Sequence, residues 1–217
     1  MWKSQSVHVE PNIDVDWNEK MAELQTGEDR MDDFPPALHA LIARAGTLAR
    51  ERPVARWDPP ATGASDMRIG VDGAWYHRGS AITREPLVRL FASLLRREKD
   101  GGYVLVTPVE KLSIRVDDAP FVAVELHGEG AGEEQNLTFR TNVGDVVRCD
   151  AKHRLLFRAE PATGGLKPYL GVRNGLEALA TRAVMFELVA LADDSAGIAG
   201  VWSGGVFFAF PGAQGAV

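Results

Sequence analysis

Apolar residues recur along this chain at two spacings, and the spacings divide it into strands and helices. Short apolar runs bounded by Gly, Asp, Asn and Pro predict strands. Met67–Val71 and Ala74–His77 flank Asp72-Gly73, a strong hairpin signal. Tyr103–Thr107, Leu112–Val116 and Phe121–Leu126 follow, the last two joined by a turn at Asp117-Asp118-Ala119-Pro120. Further strands are expected at Leu137–Arg140, Val146–Cys149, Leu155–Ala159, Tyr169–Val172, Ile198–Trp202 and Val206–Phe210, with a turn at Asn142-Val143-Gly144-Asp145. Helical spacing appears at Leu87, Leu90, Phe91, Leu94 and Leu95, which predicts a helix over Arg84–Arg97 capped by Thr83, with Pro86 tolerated in its first turn. A second long helix is expected over Leu176–Ala192, and a third stripe runs through Leu38, Leu41, Ile42, Ala45 and Leu48. Ile13, Trp17, Met21 and Leu24 also share one helical face, behind a cap at Asn12 or Asp14.

Strands outnumber helices and do not alternate strictly with them, so the expected fold class is α+β. The Gly-rich acidic stretch Gly128–Glu134 lacks a phosphate loop's Gly-Lys-Ser/Thr ending and reads as a connection between two modules. The expected organisation is an acidic N-terminal arm at 1–33, a first module with a leading helix at 34–127, and a second module at 135–211. Each module is expected to hold mostly antiparallel strands and one main helix, followed by a Gly-bearing turn into an aromatic strand at Gly102-Tyr103 and Gly200-Val201-Trp202. That coarse repeat suggests a duplication. The arm is either a frayed terminus or a short amphipathic helix that docks on the body or on a neighbour.

Charge sharpens this division. Residues 1–33 hold nine acids and three bases, a surplus equal to the whole net charge of −6, so the rest of the chain is neutral. A broad basic surface for long nucleic acid is therefore not expected. No apolar run reaches the roughly 20 residues of a membrane span. The first residues show no apolar segment of a secretory signal. The one cysteine, Cys149, allows no internal disulfide and suits a reducing cytoplasm. It lies in a strand-like run and reads as core.

The candidate chemistry is sparse. His8, His39, His77, His127 and His153 show no metal-ligand spacing, so neither metal nor cofactor is expected. Trp202-Ser203-Gly204-Gly205 lacks the leading Gly of a nucleophile elbow. Asp66 and Arg68 share a strand face, and Glu110-Lys111 places an ion pair between two apolar strands. In the helix expected over Leu176–Ala192 the polar residues Glu177, Thr181, Arg182 and Glu187 scatter around the axis, so Arg182 is expected to be partly enclosed. Arg173-Asn174-Gly175 would then precede a helix N-terminus, where an anion is readily held. Trp202 and Ser203 would offer a stacking face and a hydroxyl.

Several runs resemble the bacterial DUF1285 family. They include Ser65-Asp66-Met67-Arg68-Ile69, Gly73-Ala74-Trp75-Tyr76, Leu87-Val88-Arg89-Leu90-Phe91, Val106-Thr107-Pro108-Val109-Glu110-Lys111 and Val116-Asp117-Asp118-Ala119-Pro120-Phe121. They continue with Leu137-Thr138-Phe139-Arg140-Thr141-Asn142, Pro168-Tyr169, Arg173-Asn174-Gly175-Leu176-Glu177-Ala178, Thr181-Arg182 and Val201-Trp202-Ser203-Gly204-Gly205. The resemblance spans about 54–211. Thr62-Gly63-Ala64-Ser65 departs from the family's usual Cys-Gly-Asp/Glu-Ile, which removes a thiol and a carboxylate. The resemblance implies two related modules, the second like a pleckstrin-homology barrel, no assigned activity, and a pocket between them for a nucleotide-like ligand in signalling. Carried over, that pocket would draw on Arg68, Lys111, Asn142, Arg173, Arg182 and Trp202. The expected function is thus regulatory binding of a small anionic ligand, without membrane contact, with an enzyme the less favoured class. The alternatives are a hydrolase or transferase using Asp66, Glu110 or Asp118, and a protein interaction scaffold with no small ligand.

Overall fold

The computed structural model describes residues 53–160 and 163–214. The arm at 1–33 and the stripe Leu38–Leu48 lie outside them. The described residues all belong to one unit, residues 50–217.

The first sheet starts with β1 (Ala61–Ile69), β2 (Trp75–His77) and β3 (Ser80–Ile82). Helix α1 (Glu85–Leu94) follows, then β4 (Leu95–Arg97), β5 (Tyr103–Val106) and β6 (Glu110–Val116). Their order is β3-β2-β1-β6-β5-β4, two antiparallel meanders joined where β1 runs parallel to β6. The second sheet holds β7 (Phe121–Glu129), β8 (Asn136–Thr141), β9 (Val146–Arg148), β10 (Leu155–Ala159), β11 (Leu166–Arg173) and β12 (Leu176–Ala180), in the order β10-β11-β12-β7-β8-β9. Here β12 runs parallel to β7. Counted within each sheet, first strand beside last, the two orders are the same. Helix α2 (Arg182–Ala190) follows, then a three-stranded sheet of β13 (Asp193–Ser195), β14 (Ile198–Ser203) and β15 (Val206–Gln214).

Burial explains most of these elements. In β1, Ser65, Met67 and Ile69 point inward while Asp66 faces solvent. The β1–β6 register slips between Ala64 and Arg68, and Asp66 takes a left-handed φ of 54° there. Ser65 holds this bulge: its hydroxyl donates to Ser113 O (2.7 Å) and accepts from Met67 N (3.2 Å). Trp75 and Phe91 stack at 6.0 Å between ring centroids in the first core, beside buried Ile69, Leu94 and Leu105. The second sheet curls into a half-barrel around Phe121, Leu137, Phe139 and Tyr169. The third sheet lies against its margins. Ser203 Oγ donates to Cys149 O (2.6 Å) and accepts from Leu137 N (2.9 Å), while Phe157 meets Phe210 edge-on at 5.0 Å.

Both long helices are shorter than their sequence pattern suggests. Helix α1 stops at Leu94 because Leu95, Arg96 and Arg97 pair with Leu105, Val104 and Tyr103 across a turn with Gly101 at φ 90°. Its N-cap is Arg84, with no side-chain hydrogen bond, in place of Thr83. Residues Leu176–Ala180, expected to be helical, form β12. Leu176, Ala178 and Ala180 are buried on alternate positions, a strand period. Asn174 and Gly175, with φ of 45° and 76°, make the tight hairpin from β11 into β12. Thr181 then caps α2 by accepting from Val184 N (3.3 Å).

The Gly128–Glu134 stretch is not the passage between the two large sheets. It ends β7 and turns through Gly132–Glu134 into β8 of the same sheet. The crossing occurs at Asp117–Pro120. The two helices also occupy different places, α1 between the third and fourth strands of its sheet and α2 after the sixth of the other, so the likeness between the halves lies in strand order.

Tight pairing in the third sheet yields a direct test. A Cβ on Gly200 would lie 2.6 Å from both Phe207 Cζ and Phe208 O and 2.9 Å from Ala209 Cα. Gly200→Ala is expected to lower stability by about 1–3 kcal/mol in denaturant unfolding. A variant as stable as the parent would show that β14 and β15 separate without cost.

Candidate functional site

Where the first sheet meets the second, polar side chains of the second reach backbone groups of the first. Asn142, in the β8–β9 turn, accepts from Val122 N through Oδ1 (3.0 Å) and donates through Nδ2 to Gly73 O (3.3 Å) in the β1–β2 hairpin. Gly73, at φ 78°, leaves no room for a side chain: a Cβ would sit 2.5 Å from Asn142 Nδ2. Arg173, at the end of β11, pairs with Asp145 and donates to Ala92 O of α1 (2.9 Å), and its guanidinium lies 4.8 Å from the Phe121 ring centre. Arg68 pairs with Asp117 at the crossing and stacks over Tyr76 at 4.3 Å, while Arg115 Nε reaches the same carboxylate at 3.0 Å.

A second cluster surrounds two tyrosines. Asp118 accepts from Tyr169 Oη (2.7 Å) and Lys167 Nζ (3.2 Å), and Lys167 also meets Glu160 at 3.0 Å. Arg158 Nη2 donates to Glu177 (2.6 Å) and stacks over Tyr169 at 4.1 Å. Arg97 of β4 reaches Glu177 at 4.0 Å and lies 5.7 Å from the Tyr103 ring centre. Burial pushes the Tyr103 hydroxyl above its ordinary range, against the pull of Arg97. Burial and the hydrogen bond to Asp118 likewise raise Tyr169. Hydrogen bonds to Glu160 and Asp118 hold Lys167 more firmly protonated.

Next to Arg97 lies an open groove of about 500 Å³, lined by Ala55, Arg96, Arg97, Glu98, Lys99, Asp100 and Asn174. Arg96 is committed there, donating to Glu98 (2.6 Å), Val54 O (2.9 Å) and Trp57 O. Lys111 stands 3.5 Å from Glu98. Arg97 is held more loosely, with one 3.2 Å hydrogen bond to Gly175 O and a side chain 38% exposed. Lys99 is exposed and has no ion-pair partner among the described residues.

Residues 52–119 match the domain of unknown function DUF1285, N-terminal domain, and residues 120–210 match the DUF1285 C-terminal domain, so the family boundary coincides with the crossing between sheets. A crystal structure of a DUF1285 family protein from Silicibacter pomeroyi DSS-3 is similar at 46% identity and a TM-score of 0.73, covering 78% of this chain and 93% of that one. The chain belongs to the DUF1285 family. Another DUF1285 family protein, from Shewanella baltica OS155, is 27% identical over 58% of this chain and 92% of its own, with a TM-score of 0.46. No curated protein matches.

Within this DUF1285 fold the six residues singled out in the sequence separate. Arg68, Asn142 and Arg173 lie along the seam, and Lys111 sits behind the groove. Arg182 is not enclosed: it is the exposed first residue of α2, 5.4 Å from the Phe186 ring centre. Because β12 intervenes, Arg173 does not precede a helix N-terminus, and the two arginines do not frame one cradle. Trp202 is half-buried against Phe207 at 5.1 Å and lines no part of the groove. Asp66 and Arg68 do share the outward side of β1, yet Asp66 faces Arg78 at 3.6 Å. Glu110 and Lys111 do not pair as a unit, since Lys111 turns to Glu98. Arg97, Lys99 and Asn174 carried no separate prediction. The legible signal was Asn174-Gly175, a two-residue hairpin pair that brings the second domain's turn to the groove.

Among the described residues no group of three or more His, Cys, Asp or Glu could hold a metal ion, and no helix is long and apolar enough to cross a membrane. Cys149 is fully buried, and burial pushes its thiol up to about 12. It should stay unmodified by a thiol reagent at neutral pH until the protein unfolds; stoichiometric reaction of the folded protein would contradict that burial. Replacing Arg173 by Met leaves Asp145 without its cation and removes the bridge to Ala92 O, and is expected to lower stability by about 1–3 kcal/mol. An unchanged melting temperature would show that the seam holds without this bridge.

Proposed function

We propose that this DUF1285 protein binds a small anionic, nucleotide-like ligand between its two domains, in a regulatory or signalling role, and that the groove beside Arg97 receives it. The observation that carries this reading is the weakly tied Arg97 guanidinium, with Lys99 and Asn174, on a groove lined from both domains. A guanidinium and an ammonium suit phosphate oxygens, and an Asn amide adds a neutral donor. Arg68, Lys111 and Arg173 act indirectly here, by holding the surrounding strands through Asp117, Glu98 and Asp145. The shared strand order of the two sheets supports the reading of a duplicated module. A single buried thiol supports a reducing, cytoplasmic setting.

A hydrolase or transferase using Asp66, Glu110 or Asp118 draws less support, and Asp66 faces Arg78 on the solvent side of β1. Glu110 opens β6 and Asp118 lies beyond its end, so the six steps along the strand, at about 3.3 Å each, keep them about 20 Å apart. Such a span exceeds the roughly 5–10 Å of working carboxylate pairs. An interaction scaffold is the second reading. It is favoured by the matching of Arg68, Arg158, Lys167 and Arg173 with acids of the same chain.

Calorimetric titration separates the two. Phosphate, pyrophosphate and a nucleoside monophosphate serve as probes. At least one is expected to bind, and Arg97→Met and Lys99→Met are each expected to weaken it about ten-fold. Absence of binding by all three, or binding unmoved by both substitutions, would leave the scaffold.

A further inference from the structure

Helix α2 is apolar on two opposite sides, yet only one is covered. At 100° per residue Val184 and Leu188 form one stripe, and both are fully buried. Met185, Phe186 and Val189 gather on the other side, around Arg182. Phe186 remains 61% exposed and Val189 50% exposed, even with the Arg182 guanidinium near the ring. A helix with apolar residues all round is ordinarily enclosed on all sides.

The charges at its ends are arranged against the helix dipole. Arg182 is the first residue of α2, the first turn holds no acid, and Arg182 has no ion-pair partner among the described residues. A cation there meets the positive end of the dipole. The last turn holds no base, and exposed Asp193 and Asp194 follow it, where negative charge is disfavoured. Their near carboxylate contacts are backbone N–H groups, Asp194 N and Gly197 N.

A second helix laid antiparallel on this face corrects all three features. We propose that the outer face of α2 is a two-fold interface with a second copy of this chain. The nine-residue helix is about 14 Å long. A two-fold axis near Phe186 therefore brings Arg182 of each copy towards the acidic end of the other helix, and covers Phe186 and Val189. The same patch serves both partners, as closed two-fold symmetry requires.

Sedimentation velocity of the full chain over a concentration series tests this. A concentration-dependent dimer is expected. Phe186→Glu places like charges at the axis and should raise the dimer dissociation constant at least about ten-fold. Because Phe186 is exposed, circular dichroism should show the fold retained. Arg182→Glu should also weaken the dimer, and adding Asp193→Arg should restore it. A parent chain that stays monomeric at every soluble concentration would overturn the proposal. So would a dimer indifferent to Phe186→Glu, or a swapped pair as weak as Arg182→Glu alone.

Discussion

The seam between the two large sheets depends on satisfying backbone groups that packing takes out of water. Val122 N–H and Gly73 C=O lie where neither sheet's ladder offers them a partner, and a buried unmade hydrogen bond costs about 1–3 kcal/mol. Asn142 supplies both missing partners, and Arg173 adds a second donor to Ala92 O, which also accepts from Leu95 N. Both reach from the second domain into the first, so the arrangement of the domains is specified by hydrogen-bond geometry as well as by apolar contact. Gly73 follows from the same constraint, because the Asn142 amide occupies the space its side chain would need.

This seam also determines where a ligand can act. Cations that look available in sequence are mostly engaged: Arg68 with Asp117, Arg173 with Asp145, Lys111 with Glu98. Breaking the Arg173 pair to admit a ligand would leave Asp145 without its cation, whereas Asp117 and Glu98 would keep Arg115 and Arg96. The chemistry open to a solute is displaced to the margin, where the β4–β5 and β11–β12 turns meet and Arg97 keeps only long contacts. Helix α2 shows the corresponding effect for apolar surface. Its inner stripe is buried where the helix packs on β7, β12 and β14, and its outer stripe is left to the surroundings.

Much of the strand pattern was legible from local chemistry. The Asp72-Gly73 hairpin, the β5 to β8 runs, the Asp117–Pro120 turn and the buried Cys149 follow from period-two burial and turn residues acting over a few positions. Even the Asn174-Gly175 hairpin was written plainly. It was outweighed by the good helix formers Leu176, Glu177, Ala178, Leu179 and Ala180, which pairing with β7 and β11 turned into a strand.

By itself the amino-acid sequence determined the turns, the apolar periods, the neutral body and the family motifs, because each is a property of neighbouring residues. Tertiary structure alone decided that helix α1 gives way to β4, that Arg182 faces solvent, that Arg173 finds Asp145, and that Arg97 and Asn174 share one groove. The Arg173 and Arg97 outcomes rest on contacts between residues 28 to 81 positions apart, and the end of α1 on strand pairing across 6 to 10 positions. A side chain's charge is set by its own chemistry, but whether that charge is matched, buried or left for a ligand depends on what distant strands bring beside it.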